Sequence, residues 1–188
     1  ILAKVLDNNT TLVSLNLSDN YLDRNSNVII EEIIKKNTML TSLNLNNCFD
    51  DIGFWWGSII KALVTNTTLT EINLGNNNIY EDIMYDLDTT CEGEVIGEKT
   101  LDKDRPFVNL LENNSVLTSL NLSDNDFGEY YGNLFLDVIS NKNSTLTHLN
   151  LERCSISKKL LKQINIKLSE RQVELINIIN VKPVVAPN

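Results

Sequence analysis

A single histidine, His148, stands among 188 residues, so a serine hydrolase or a histidine-ligated metal centre built on this chain has to use it. Counted from a leucine that recurs along the chain, His148 holds the same position as Ser14, Ser42, Glu71 and Ser119, each two residues further on. On neighbouring parallel strands, Ser119 and His148 would lie ~4.8 Å apart. Glu71 then falls on the far side of Ser119, which places the serine between acid and base, whereas a triad needs the base in the middle. His148 is therefore expected to be an exposed sheet residue, and the chain not to be an enzyme. With no carboxylates clustered around that histidine, no transition-metal site is expected. No DxDxDG-like run offers a calcium loop, and no cofactor is expected. The cysteines, Cys48, Cys91 and Cys154, are odd in number and lack CxxC spacing, which fits a reducing compartment and no zinc.

Composition removes further classes. The net charge is −9, against a nucleic-acid groove, which needs a basic stripe to displace counterions from phosphates. Hydrophobic residues make up 42% of the chain, enough for a packed core. No apolar run reaches the ~18–20 residues that span a bilayer, so a cytoplasmic chain without membrane contact is expected. Three prolines and seven glycines leave no flexible linker, and the length suits one domain.

The elements that must position these residues come from a repeat. The pattern LxxLxLxxNxL begins at Leu12 with Leu15, Leu17, Asn20 and Leu22. It returns at Leu40 (Leu43, Leu45, Cys48), Leu69 (Ile72, Leu74, Asn77, Ile79), Leu117 (Leu120, Leu122, Asn125, Phe127) and Leu146 (Leu149, Leu151, Cys154, Ile156). Successive starts are 28, 29, 48 and 29 residues apart. Between copies the apolar period becomes helical, as in Val28–Lys36, around Ile59–Val64, Phe107–Leu111 and Leu136–Ile139. A further helix is expected at Leu2–Leu6. Each helix ends near an asparagine (Asn9, Asn37, Asn66, Asn114, Asn143), a residue that tolerates a left-handed backbone at a helix end.

Strand then helix, repeated, gives a solenoid whose parallel sheet lines the inside of the curve, because strands stack ~4.8 Å apart and helices ~8–10 Å. The motif and its 28–29-residue period resemble the ribonuclease-inhibitor class of leucine-rich repeats over roughly residues 2 to 168. The resemblance implies an α/β horseshoe of about five strand–helix repeats, with a concave sheet and outer helices, that binds other proteins. It also implies that the slot held by Asn20, Cys48, Asn77, Asn125 and Cys154 bonds the turn backbone from inside. Expected boundaries are a solenoid over 1–168, with an insertion at about 80–105, and a C-terminal cap over 169–188. A capping-box pattern at Ser169–Gln172 starts that cap, and Leu175, Ile176, Ile178 and Ile179 supply its apolar lid.

The partner surface is sought by anchor residues. The ladder Asn16, Asn44, Asn73, Asn121 and Asn150 makes the concave face polar, with cross-strand amide stacking expected along it. Of the anchors that interfaces favour, only Arg153 stands on this face, near its C-terminal end, so the face is expected to bind weakly except around His148, Glu152 and Arg153. Ten of the twelve aromatics follow a strand and open the next helix, so an aromatic rim is expected there. One member of Trp55/Trp56 and one of Tyr130/Tyr131 must turn inward, since adjacent helical residues cannot share a face. Residues 80–105 hold nine acids against three bases, a local charge of −6. The candidate partner-binding set is therefore Trp55, Trp56, Tyr80, Tyr85, Tyr130, Tyr131, His148, Glu152 and Arg153. A protein partner with a basic patch is expected, on a chain that is a monomer by itself. The richness in asparagine, 28 of 188, and the irregular repeats resemble the effectors of intracellular bacterial pathogens. That resemblance implies a module in the host cytosol that binds and modulates, or inhibits, a host protein or another effector enzyme. The alternative is a sensor or substrate-recognition fragment of a larger receptor or ubiquitin-ligase adaptor.

Overall fold

The computed structural model describes Leu6 and residues 9–49, 56–79 and 105–180. Five three-residue strands, β1 (Ser14–Asn16), β2 (Ser42–Asn44), β3 (Glu71–Asn73), β4 (Ser119–Asn121) and β5 (His148–Asn150), form one sheet in chain order, each pair parallel. Helices α1 (Arg24–Lys36), α2 (Trp56–Thr65), α3 (Pro106–Asn113), α4 (Gly128–Asn141) and α5 (Lys158–Asn180) follow the strands in turn. The leucine spacing thus yields the α/β repeat solenoid expected of it. The register aligns Ser14, Ser42, Glu71, Ser119 and His148 across the sheet, with Asn16, Asn44, Asn73, Asn121 and Asn150 two residues on.

Alternation divides the strands. The central residues Leu43, Ile72, Leu120 and Leu149 are buried against the helices, while their neighbours face the other way. From the helix side, Ile33, Ile59, Leu110 and Val138 complete one continuous core. Apolar spacing alone does not hold α1: Asp23 caps it by accepting from the Ser26 N–H, and Glu31–Lys35 and Glu32–Lys36 pair along its exposed face.

Three hydrogen-bond ladders stitch the copies together. In the turn after the strand, Asn77 Oδ1 accepts from the N–H groups of Cys48 and Phe49, and its Nδ2 donates to the Leu45 and Gly75 carbonyls. Asn125 repeats this on Asn77, Ile79, Leu74 and Leu122. Cys48 and Cys154 hold the same slot with Sγ toward the Leu17 and Leu122 carbonyls. At the helix ends, the Nδ2 groups of Asn37, Asn66, Asn114 and Asn143 donate to Leu6, Ile34, Leu63 and Leu111 of the copy before. Their Oδ1 atoms close the turn into the next strand, at the Leu40, Leu69, Leu117 and Leu146 N–H groups. Thr41, Thr70, Thr118 and Thr147 form the third ladder, each hydroxyl donating to the equivalent residue's carbonyl one copy back, 3.1 Å away.

Two sequence expectations change. The helix-end asparagines are not left-handed: Asn37 and Asn114 are extended, with φ near −75° and −81°. Positive φ falls instead three residues after each strand, at Asp19, Asn47, Asn76, Asp124 and Arg153. Nor does Ser169 start a cap helix. α5 runs unbroken through it, the Ser169 hydroxyl donating back to the Asn165 carbonyl. The lid over the last core layer is Leu160, Ile164 and Leu168, whereas Leu175 and Ile176 are exposed, because they follow the point where α5 leaves the body. Gly132 lets the two helices meet: a Cβ there would come within 2.8 Å of the Leu160 side chain. The helix expected at Leu2–Leu6 lies outside the described residues apart from buried Leu6, as do Ile178 and Ile179 as side chains and nearly all of the insertion. Among the described residues no helix is long and apolar enough to cross a membrane.

Asn125→Ala is expected to remove a partner from two buried N–H groups, those of Asn77 and Ile79, and from three carbonyls, those of Leu74, Leu122 and Ser123, at a cost of about 2–4 kcal/mol. Urea unfolding should show a lower midpoint at unchanged slope. A midpoint matching the parent's would mean that the turn ladder is not holding the repeats.

Candidate functional site

His148 lies at the open edge of the sheet with both ring nitrogens engaged. The Thr147 hydroxyl is 2.9 Å from Nδ1, and the Gln172 amide nitrogen is 3.3 Å from Nε2. Because that hydroxyl donates to the Thr118 carbonyl, it accepts from Nδ1–H, and Nε2 accepts from Gln172. Gln172 also donates to the Thr147 carbonyl, which fixes the amide's orientation. The strand order Glu71, Ser119, His148 leaves the serine between the other two. The imidazole serves the attachment of α5. Among the described residues no cluster of His, Cys, Asp and Glu could hold a metal.

The polar centre of the sheet is more constrained than amide stacking would make it. In all five copies the strand-end asparagine turns Oδ1 onto the N–H two residues ahead, at 2.9–3.0 Å. At Gly75 the neighbouring side chains close in: a Cβ there would lie 2.8 Å from Asn46 Oδ1 and 3.1 Å from Ser123 Oγ.

Beyond the strands, Arg153 adopts positive φ and aligns its guanidinium with both carboxylate oxygens of Asp124, one copy earlier. Glu152 sits 3.7 Å from the same guanidinium. This arrangement holds the Asp124 carboxyl below its ordinary pKa, the hydrogen bond from Arg153 being the main cause. Tyr130, 45% exposed, opens α4, with the Arg105 guanidinium over its ring at 5.2 Å.

The nine candidate residues therefore separate. Tyr130, His148, Glu152 and Arg153 are exposed, on the last two repeats. Trp56 and Tyr131 are corrections: they are 5% and 4% exposed and belong to the core. Trp56 packs edge-on against Phe49 at 5.0 Å, and Tyr131 lies against Phe127 and Phe135. Phe49 and Phe127 are buried too, so the rim keeps Tyr21 and Tyr130 as its exposed aromatics among the described residues. Trp55, Tyr80 and Tyr85 fall outside those residues, with Cys91. The buried thiols are inert, burial raising Cys48 and pushing Cys154 up to about 11.

The sequence reading missed the residues that end the solenoid. Arg171 donates to the Asn143 side chain and to the carbonyls of Ile139, Asn143 and Leu146. At the other end of the cap, Glu129 receives both the N–H and the hydroxyl of Ser157, just before α5. A signal for the first was present: a step of 28–29 residues from Asn143 lands on Arg171 and Gln172.

Comparison with known proteins places this geometry. The family described as Leucine Rich repeat matches residues 8–23, 65–80, 113–129 and 142–159. Human NACHT, LRR and PYD domains-containing protein 13 is 29% identical over 117 residues, covering 58% of this chain. The chain spans only 11% of that relative's length. Among solved structures, leiomodin-1 actin-binding site 2 superposes with a TM-score of 0.71 at 17% identity, covering 94% of this chain and 90% of that one. The Caenorhabditis elegans tropomodulin C-terminal domain gives 0.64 at 14% identity, covering 96% and 95%. At such identities the likeness is one of fold.

The Glu129–Ser157 contact sets a pH dependence. Hydrogen bonds from the Ser157 backbone and then its hydroxyl lower the Glu129 pKa, so its contribution is present above the ordinary glutamate value and is lost as pH falls through the lowered one. Amides at the start of α5 should therefore exchange faster with solvent as pH drops from about 6 to about 3, after correction for intrinsic rates. Glu129→Gln should show fast exchange already at neutral pH. Equal protection in both proteins at every pH would remove the capping role.

Proposed function

We propose that this leucine-rich-repeat protein is a non-enzymatic protein-binding module whose partner engages the post-strand rim and the C-terminal end of the concave face. The observation that carries the reading is the group of exposed anchors on the last two repeats: Tyr130 with Arg105 over its ring, and Arg153 with Asp124 and Glu152. Tyrosine and arginine are the side chains that interfaces use to anchor, and the sheet centre offers neither. The acidic segment 80–105 leads into Arg105, so a partner with a basic patch suits this edge by charge. Tyr80 and Tyr85, within that segment, and Trp55, just before α2 in sequence, belong to the proposed surface.

The richness in asparagine supports an effector-like role in a host cytosol, binding and modulating a host protein or another effector enzyme. A second reading, the recognition part of a larger sensor or adaptor, is favoured by the 29% identity to a protein that carries NACHT and PYD domains beside its repeats. Actin, named for the leiomodin-1 site, enters as one assay candidate, since that likeness is of fold alone.

Tyr130→Ala should keep the parent's melting temperature, because the ring is exposed, and should raise the dissociation rate of a captured partner about 5–30-fold. Replacing residues 82–104 with a short Gly/Ser linker should slow association. Surface plasmon resonance checks both. Unchanged rates in both variants, with loss on Asn44→Ala or Asn73→Ala, would move the site to the concave centre. A panel of hydrolase and transferase substrates should reveal no turnover that His148→Ala removes.

A further inference from the structure

Past Arg171, Gln172 is the one residue that ties α5 to the solenoid by hydrogen bonds, among the described residues. Its Nε2 donates to the Thr147 carbonyl at 2.9 Å and meets His148 Nε2 at 3.3 Å. Val173, Leu175 and Ile176, which follow, are exposed. His148 is exposed too, so solvent protons reach its ring. Its hydrogen-bond partners among the described residues are Thr147 and Gln172, both uncharged. Beside it in register on β4 stands Ser119, also neutral. Next to Gln172 on α5, Arg171 turns its guanidinium onto the Ile139, Asn143 and Leu146 carbonyls. No described carboxylate bonds the ring. Glu71 is two strands away, ~9.6 Å by strand spacing. Glu152 sits at the Arg153 guanidinium, Glu170 pairs with Lys167, and Glu174 acts on Arg171.

We propose that protonation of His148 loosens α5 from Gln172 onward, so that the end of the solenoid opens and closes with pH. The bonds around the ring are directional. The Thr147 hydroxyl gives its proton to the Thr118 carbonyl and accepts from Nδ1–H, which leaves the Nε2 lone pair for Gln172. A proton added at Nε2 turns that acceptor into a donor facing the Gln172 NH2 group, which has no lone pair to offer. Turning the amide over offers Oε1 to the imidazolium but faces the same oxygen to the Thr147 carbonyl, acceptor against acceptor. Swinging the ring into solvent forfeits the Gln172 bond as well. In every arrangement one of the two tethers is lost, and helix turns that bury little apolar surface fray. Imidazole is the side chain that ordinarily changes charge between about pH 5 and 8, and this chain has one. The contact at the start of α5 does not respond over the same interval. Hydrogen bonds from Ser157 hold the Glu129 carboxyl below its ordinary pKa, so it stays charged there.

Nitrogen NMR of the 188-residue chain reads a single imidazole, since there is a single histidine. At about pH 8.5 the neutral ring should carry its proton on Nδ1 and leave Nε2 bare. Between about pH 7.5 and about 5.5, amide exchange from Val173 on, corrected for intrinsic rates, should quicken about three- to tenfold, the loss of one hydrogen bond. Exchange around Leu160–Leu168, which lie on the core, should not change. His148→Ala should remove the pH step whatever its starting rate, and Gln172→Ala should exchange fast at both pH values. Neither side chain belongs to the core, and thermal melting by circular dichroism verifies that both variants fold. A neutral ring protonated on Nε2 overturns the proposal, as does exchange indifferent to pH. A step that survives in His148→Ala or Gln172→Ala, or loosening that reaches Leu160–Leu168, would equally refute it.

Discussion

Reversing the chain after each strand turns backbone N–H and C=O groups into a layer that excludes water, and Asn77 and Asn125 meet that demand with one side chain apiece. Each amide accepts from two N–H groups of the preceding copy and donates to carbonyls in both copies. No turn is therefore complete without its neighbour, and the copies cannot fold one at a time at reasonable cost. The same geometry fixes the register, because sliding one strand would misplace the amide together with every concave side chain. Curvature follows, since the sheet is stitched at strand spacing while the helices behind it need more room.

A structure held by bonds to the next copy has to solve its last one. At the helix ends, each asparagine satisfies a carbonyl of the copy before, so the final α4 carbonyls wait for an asparagine that never comes. Arg171 takes that place with several donors, and Gln172 closes the threonine ladder at the Thr147 carbonyl. Their distance from Asn143 is one repeat period, so the chain keeps the ladder's rhythm after losing its strand. Up to these two residues α5 is a lid. Beyond them Val173, Leu175 and Ile176 are exposed, and the helix works as a surface.

Much of this was legible in the sequence because leucine spacing and strand register are the same information. Five leucines in phase predicted the sheet order, and with it the serine between Glu71 and His148. What could not be read was the choice between chemically equivalent neighbours. Trp56 and Tyr131 are buried and Tyr130 exposed because of helix rotation, which adjacent aromatics leave open. Asparagine is so common here that its type could not tell an extended helix-end residue, Asn37, from a left-handed loop residue, Asn47. The Ser169 motif looked like a helix start since serine and glutamate also suit an exposed helix face, and only the continuous backbone tells the two apart.

The same accounting says where affinity can arise. Along the concave centre the asparagine oxygens are committed to their own backbone, so that row offers a ligand amide donors and little else. Such donors gain only the difference between a partner's bond and water's, about 1 kcal/mol each, and must also give up their hydration. Apolar area and desolvated charge are found elsewhere. Tyr130 presents a ring already faced by Arg105, and Arg153, left-handed like its counterpart in every copy, has its guanidinium held by the Asp124 carboxylate, so both enter an interface with part of their ordering done. Ordered anchors at one end and a plain polar centre are what a scaffold offers when its interior bonding has consumed most of its polar groups.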